Sequence, residues 1–156
     1  MVIPQEVSSF FHVQNYTVIS TIDKNGFPHN SCKGIVQIEP RKGIIYLLDL
    51  YMKDTYANLK KNARISVTAV DEHKFKGYSL KGRARIVSAK IFGPKVLKAW
   101  EETIATRITQ RVLRNLREEK GHPHHPEAQL PKPAYLIAIK VNEIIDLKPP
   151  HIIGGV

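Results

Sequence analysis

Residues 48–69, LDLYMKDTYANLKKNARISVTA, constrain the fold most, because they join an apolar strand, a turn bearing Lys and Thr, a short amphipathic helix and a second strand. A helix that starts straight out of a strand leaves its first amides without intrahelical partners, and the helix dipole places partial positive charge there. Lys53 and Thr55 add an ammonium and a hydroxyl at that point, which makes the turn a phosphate seat. Many helix starts carry a Lys or Thr and hold no ligand, so the turn needs support from what surrounds it.

Upstream, three strands are expected. Residues 16–22 alternate in polarity, and Lys24-Asn25-Gly26 supplies the turn of a tight hairpin, since Asn and Gly accept positive φ at low cost. A second run over 29–38 is bounded by Pro40 and Gly43, and a third over 44–50 is almost wholly apolar, as in a strand buried on both faces. Downstream, 65–70 and 78–87 give two more strands, the latter carrying GRARIV with a Gly where a sheet has to bend. This is a meander heading for closure.

The ordered set of helix, NG hairpin, strand, apolar strand, Lys/Thr turn, helix, strand and KGRARIV strand resembles the pyridoxamine 5'-phosphate oxidase-like split barrels that bind FMN. It is similar as well to the small bacterial FMN-binding proteins of that fold. The resemblance runs from about residue 10 to 87 and returns at a last strand over 134–147. It implies a mainly β protein, an antiparallel split β-barrel with flanking helices, that forms a homodimer with the flavin at the subunit interface.

Carried over residue by residue, the resemblance makes Cys32, Lys33 and Gly34 the strand segment whose backbone runs beside the flavin, with Leu47, Leu48 and Asp49 as the facing strand end. Lys53 and Thr55 stand where the family places its phosphate ligands, and Asn58 lies one turn further along the same helix. Asp54 departs from the pattern, because a basic residue is common there and a carboxylate facing a phosphate is repelled. As a helix N-cap it would turn away and leave Lys53 the sole nearby cation. The physical requirements agree: an isoalloxazine needs a flat apolar slot with backbone donors and acceptors along one edge, and its phosphate needs cations, hydroxyls and free amides. Neither G-x-G-x-x-G nor G-x-x-x-x-G-K-[ST] occurs, so the Rossmann and P-loop routes to a nucleotide are unsupported.

Length and composition set outer limits. At 156 residues with 42% hydrophobic content, the expectation is one domain, 1–156, able to bury a core. No basic n-region and no long apolar run are present, so a cytoplasmic protein without a membrane span is expected. The single Cys32 agrees with a reducing compartment and reads as a small buried hydrophobe rather than a redox centre.

The net charge of +10 raises the question of nucleic acid. Much of the excess lies in the helical pattern over 94–120, where Arg107, Arg111, Arg114 and Arg117 recur opposite an apolar stripe of Leu97, Trp100, Ile104, Ile108, Val112 and Leu116. A solvated face is the plain reading, attraction of an anionic cofactor or partner the next, and no zinc-finger, RRM or KH signature supports nucleic acid. The Pro-rich loop over 121–133 holds His122, His124 and His125, but only Glu127 joins them at ligand spacing, and a surface crossover is expected rather than a metal site.

No catalytic constellation is legible. Ser31 has no His-Asp partner readable from sequence, and Ser79 and Ser88 look like ordinary strand residues. In the family that this chain resembles, the flavin carries the reaction and the protein holds it. An FMN-dependent oxidoreductase or electron carrier is the expectation; the alternatives are a flavin-binding module without turnover, or a related barrel that binds haem or a deazaflavin. The C-terminus, NEIIDLKPPHIIGGV, lacks the Arg and Trp with which pyridoxamine 5'-phosphate oxidases position their vitamer, so that activity is not expected.

Overall fold

The computed structural model describes residues 1–14, 16–49, 51–88, 98, 101–102 and 135–150. Among them the order is α1 (Gln5–His12), β1 (Thr17–Ile22), β2 (Pro28–Lys33), β3 (Ile35–Glu39), β4 (Ile44–Asp49), α2 (Asp54–Lys61), β5 (Arg64–Asp71), β6 (Lys76–Ser88) and β7 (Tyr135–Asp146), with single turns of 3-10 helix at Pro40–Lys42 and Glu72–Lys74. The seven strands form one sheet in the order β2-β1-β5-β6-β7-β4-β3, and every pairing is antiparallel. This is the mainly β split barrel expected from the sequence.

Its closure is visible at Gly34. Strands β2 and β3 lie at opposite edges of the sheet and yet are joined by that one residue, so the sheet has to curl until its edges meet. The Leu48 amide donates to the Gly34 carbonyl at 3.3 Å and so carries the β3–β4 pairing up to that joint. The single strand expected over 29–38 is instead two strands, broken at Gly34. No Pro or Asn-Gly signal marks the break, because the chain changes edges without reversing direction through a tight turn.

The β1–β2 hairpin follows its turn residues. Gly26 adopts φ 87°, and the Asp23 carboxylate accepts the amides of Asn25 and Phe27 at 2.8 and 2.9 Å. Gly82 marks the bend anticipated in KGRARIV. The register against β7 shifts between Lys81 and Gly82, and a Cβ at Gly82 would lie 2.1 Å from the Lys140 carbonyl oxygen, so only glycine fits.

Inward alternation builds the core: Ile19, Ile45, Leu47, Val67, Leu80, Ile137, Ile139 and Val141 are fully buried. Helix α1 adds Val7, Phe10 and Phe11, with the Phe10 ring edge-on to Tyr78 at 5.2 Å. Strand β4 does not have the two buried faces expected of 44–50. Ile44 and Tyr46 on its outer side are only half-buried, and burial on both sides is confined to Leu47, Leu48 and Asp49. The cationic helix expected over 94–120 and the His122/His124/His125 loop lie outside the described residues, apart from helical Lys98, Glu101 and Glu102. No helix among the described residues is long and apolar enough to cross a membrane.

Candidate functional site

At one end of the barrel the close of β2, the close of β4 and the start of β7 converge on a carboxylate. Asp49 is paired in register with Tyr135. Its Oδ2 lies 2.8 Å from the Lys33 Nζ and accepts the Tyr135 hydroxyl at 2.5 Å, while its Oδ1 accepts the Tyr51 amide at 3.2 Å. The Asp49 and Lys33 side chains are only 3% and 11% exposed, so the two charges exist largely because each satisfies the other. Burial by itself pushes the Asp49 carboxyl up, but the hydrogen bonds from Lys33, Tyr135 and the Tyr51 amide, with the charge of Lys33, outweigh it and hold the group below the usual carboxylate range. Burial, then the Asp49 hydrogen bond and charge, push the Tyr135 phenol well up. At neutral pH Asp49 is therefore ionised and Tyr135 protonated.

Beside this cluster stands the head of α2. Met52 sits at φ 46°, a left-handed turn that swings the chain from the strand end into the helix. Lys53 is the N-cap residue and makes no side-chain cap. The first helical amide with a partner is that of Ala57, bonded to the Lys53 carbonyl at 3.0 Å, so the amides of residues 54–56 have none within the helix. The Lys53 side chain is exposed, its Nζ 5.9 Å from the centroid of the Tyr51 ring, with no ion-pair partner among the described residues. Thr55 is buried, and its hydroxyl shares a 3.0 Å hydrogen bond with Ser31 on β2. The Tyr56 ring packs edge-on against Tyr135 at 4.9 Å and ties the helix to the carboxylate cluster.

The structure thus brings the two expected strand ends together, Lys33 against Asp49 and Gly34 against Leu48, with Lys53 and Thr55 at the adjoining helix start. Leu47 and Leu48 are both buried, and both are paired with β7. The Asn58 side chain is buried and donates to the Thr21 hydroxyl at 3.1 Å. That bond docks α2 on β1 and turns the amide away from the helix start. Two expectations are corrected. Asp54 is not the N-cap but the first helical residue, exposed, where its charge complements the helix dipole. Cys32 is exposed on edge strand β2 rather than buried, because Ser31 and Lys33 take the inward positions.

Sequence reasoning missed Tyr135, Tyr51 and Ser31. Tyr135 heads the inward row of Ile137, Ile139 and Val141, a periodicity readable in the sequence, but its pairing with Asp49 depends on a register that no local signal specifies. Ser31 was considered only as a nucleophile, and its role here is to hold Thr55.

A family model described as Pyridoxamine 5'-phosphate oxidase matches residues 3–147. The chain belongs to the pyridoxamine 5'-phosphate oxidase family. No curated protein matches it. Among solved structures, this family member is similar to HupZ of Group A Streptococcus, with a TM-score of 0.62 and 18% identity over 94% of this chain and 95% of that one. A Clostridium acetobutylicum protein related to general stress protein 26, of the pyridoxinephosphate oxidase family, superposes with a TM-score of 0.56 at 15% identity, covering 95% of each chain. An F420 reductase gives a TM-score of 0.56 at 12% identity over 92% of this chain and 98% of that one. At such identities the likeness is one of fold.

Proposed function

We propose that this member of the pyridoxamine 5'-phosphate oxidase family binds FMN at the barrel end where β2, β4 and the start of α2 meet, and serves in oxidoreduction as a small reductase, oxidase or electron carrier. The observation that carries the reading is the head of α2: an uncommitted Lys53 ammonium, first-turn amides without helical partners, and the Thr55 hydroxyl within one turn. These residues fit a phosphate monoester, which needs a cation and several donors in one place. Lys53 and Thr55 hold it, and the exposed Asp54 carboxylate, which repels an anion, limits how tightly.

A bound flavin supplies the electron or hydride transfer. The chain's own residues bind and orient. The strand ends at 32–34 and 47–49 line the edge for the ring, and Asp49 anchors Lys33 so that its ammonium stays at that edge. Because the Asp49 carboxyl is held ionised and the Tyr135 phenol protonated, neither works as a proton shuttle. That arrangement also favours the second reading, a flavin-binding module without turnover.

The flavin protein is proposed as a cytoplasmic homodimer built from one domain per chain. Exposed Tyr51 and Met52 beside the helix start offer a partner subunit apolar surface at the site itself. The namesake oxidation of pyridoxamine 5'-phosphate is not part of this proposal.

The visible spectrum of the purified protein tests the reading. A flavin spectrum on isolation or on adding FMN, with riboflavin bound more weakly, is expected; a haem or deazaflavin spectrum in its place overturns it. Reduction of the bound flavin by NAD(P)H or another donor at a useful rate separates the oxidoreductase from the module. Light scattering at micromolar protein should show a dimer.

A further inference from the structure

Around the barrel from the helix start, the outer face of the sheet carries a row of cations on three adjacent strands. Arg64 on β5 is paired with Arg83 on β6, and Arg83 with Lys140 on β7; all three are exposed. The Ala84 amide donates to the Ala63 carbonyl at 2.7 Å, which makes Ala63/Ala84 a hydrogen-bonded pair and Arg64/Arg83 the narrow one, where side chains stand closest. Like charges directly opposite one another oppose folding. Arg85, exposed two residues along β6, extends the row beside Tyr46.

Among the described residues, the nearby carboxylates are already committed. Glu143 is taken by Lys81 at 3.5 Å, and Glu39 by Lys42 at 2.6 Å and by the Tyr46 hydroxyl at 2.9 Å. Arg64, Arg83 and Arg85 have no ion-pair partner among the described residues, and the Lys140 ammonium reaches only the Lys42 carbonyl. The row is also separate from the candidate flavin site. Ile44, which pairs with Lys140, and Asp49 are five residue steps apart along β4, about 16 Å at strand rise.

We propose that this row is a docking surface for the phosphate backbone of a single-stranded nucleic acid. Charge complementarity carries the assignment. Guanidinium forks match phosphate oxygens, and cations repeating along and across strands suit a ligand whose charges repeat. A protein partner is the poorer fit, because interface cores are depleted of charge and built on large apolar anchors, and none interrupts this row. The proposal stands independently of the flavin reading.

Fluorescence anisotropy of a labelled oligothymidylate, titrated with the full chain over a range of salt, tests it. Three phosphate contacts predict a log–log salt slope of about −2 from this row. The R64Q/R83Q/K140Q variant should bind more than tenfold more weakly at low salt and lose most of that slope. The charge-matched K24Q/K60Q/K74Q variant, altered at exposed lysines elsewhere, should lose less than threefold. Arg83→Gln alone, which removes a like-charge contact and so leaves folding intact, should lose several-fold. Equal losses in the two triple variants would reduce the effect to net charge and overturn the proposal, as would absence of binding by the unaltered chain. Displacement of the oligonucleotide by phosphatidylserine vesicles or polyglutamate at lower charge concentration would overturn it in favour of a membrane or an acidic protein.

Discussion

Two lysines flank the same barrel end under opposite conditions. Lys33, at the close of β2, is almost buried and held by Asp49 at 2.8 Å; Lys53, at the head of α2, is exposed with no ion-pair partner among the described residues. Lys33 and Asp49 depend on each other, since either left alone would be a charge stripped of water without compensation. Lys53 costs the fold nothing and remains available. Burial, and not the identity of the residue, separates the charge that the fold has to pair from the one it leaves in solvent.

The largest effect should come from breaking the buried pair. Asp49→Asn strands the Lys33 ammonium and should cost about 3–5 kcal/mol, which in a chain of this size lowers Tm by about 6–20 °C. Replacing both partners, K33M with D49L, should recover most of that loss in the same thermal melt. A melt unchanged by Asp49→Asn would mean that the pair is solvated and the contrast between the lysines false.

Lys53→Ala should show the reverse pattern. Losing a charge-assisted phosphate contact costs about 1.5–3 kcal/mol, so FMN should bind roughly tenfold or more weakly while riboflavin binding and Tm hardly move. Equal weakening of both flavins, read by fluorescence quenching, would take the phosphate away from Lys53.

Thr55→Val sits between the two regions, because the proposed phosphate ligand also shares a hydrogen bond with Ser31. About 1 kcal/mol of stability should be lost together with FMN affinity. A loss of stability alone would assign Thr55 to the scaffold.

Acid should give the smallest and most selective change, since burial offsets part of what holds Asp49 ionised. With its folded pKa below the ordinary value, Asp49 contributes stability that is present above about pH 4 and is lost as pH falls through the folded pKa. Denaturant midpoints measured between neutral and acid pH should fall less steeply for Asp49→Asn than for the unaltered chain.

Local chemistry made much of this molecule legible. The hairpin at Gly26, the bulge at Gly82, the helix after Lys53 and the alternating strands all follow from φ preferences and side-chain periodicity, which act within a few residues. What escaped were partnerships between distant residues. Asp49 with Tyr135, Ser31 with Thr55 and Asn58 with Thr21 join positions on different elements, and the exposure of Cys32 turns on which face of an edge strand looks inward.

The sequence by itself determined most of the strands, helix α2, the family and the place of the Lys53 turn, because propensity, turn residues and apolar spacing are properties of neighbours in the chain. Only the tertiary structure decided that the chain breaks at Gly34 to join opposite sheet edges, that Lys33 is neutralised while Lys53 is not, and that Arg64, Arg83 and Lys140 stand in a row. Register and barrel closure minimise the free energy of the whole sheet, and they bring together charges whose separation along the chain carries no sign of their meeting.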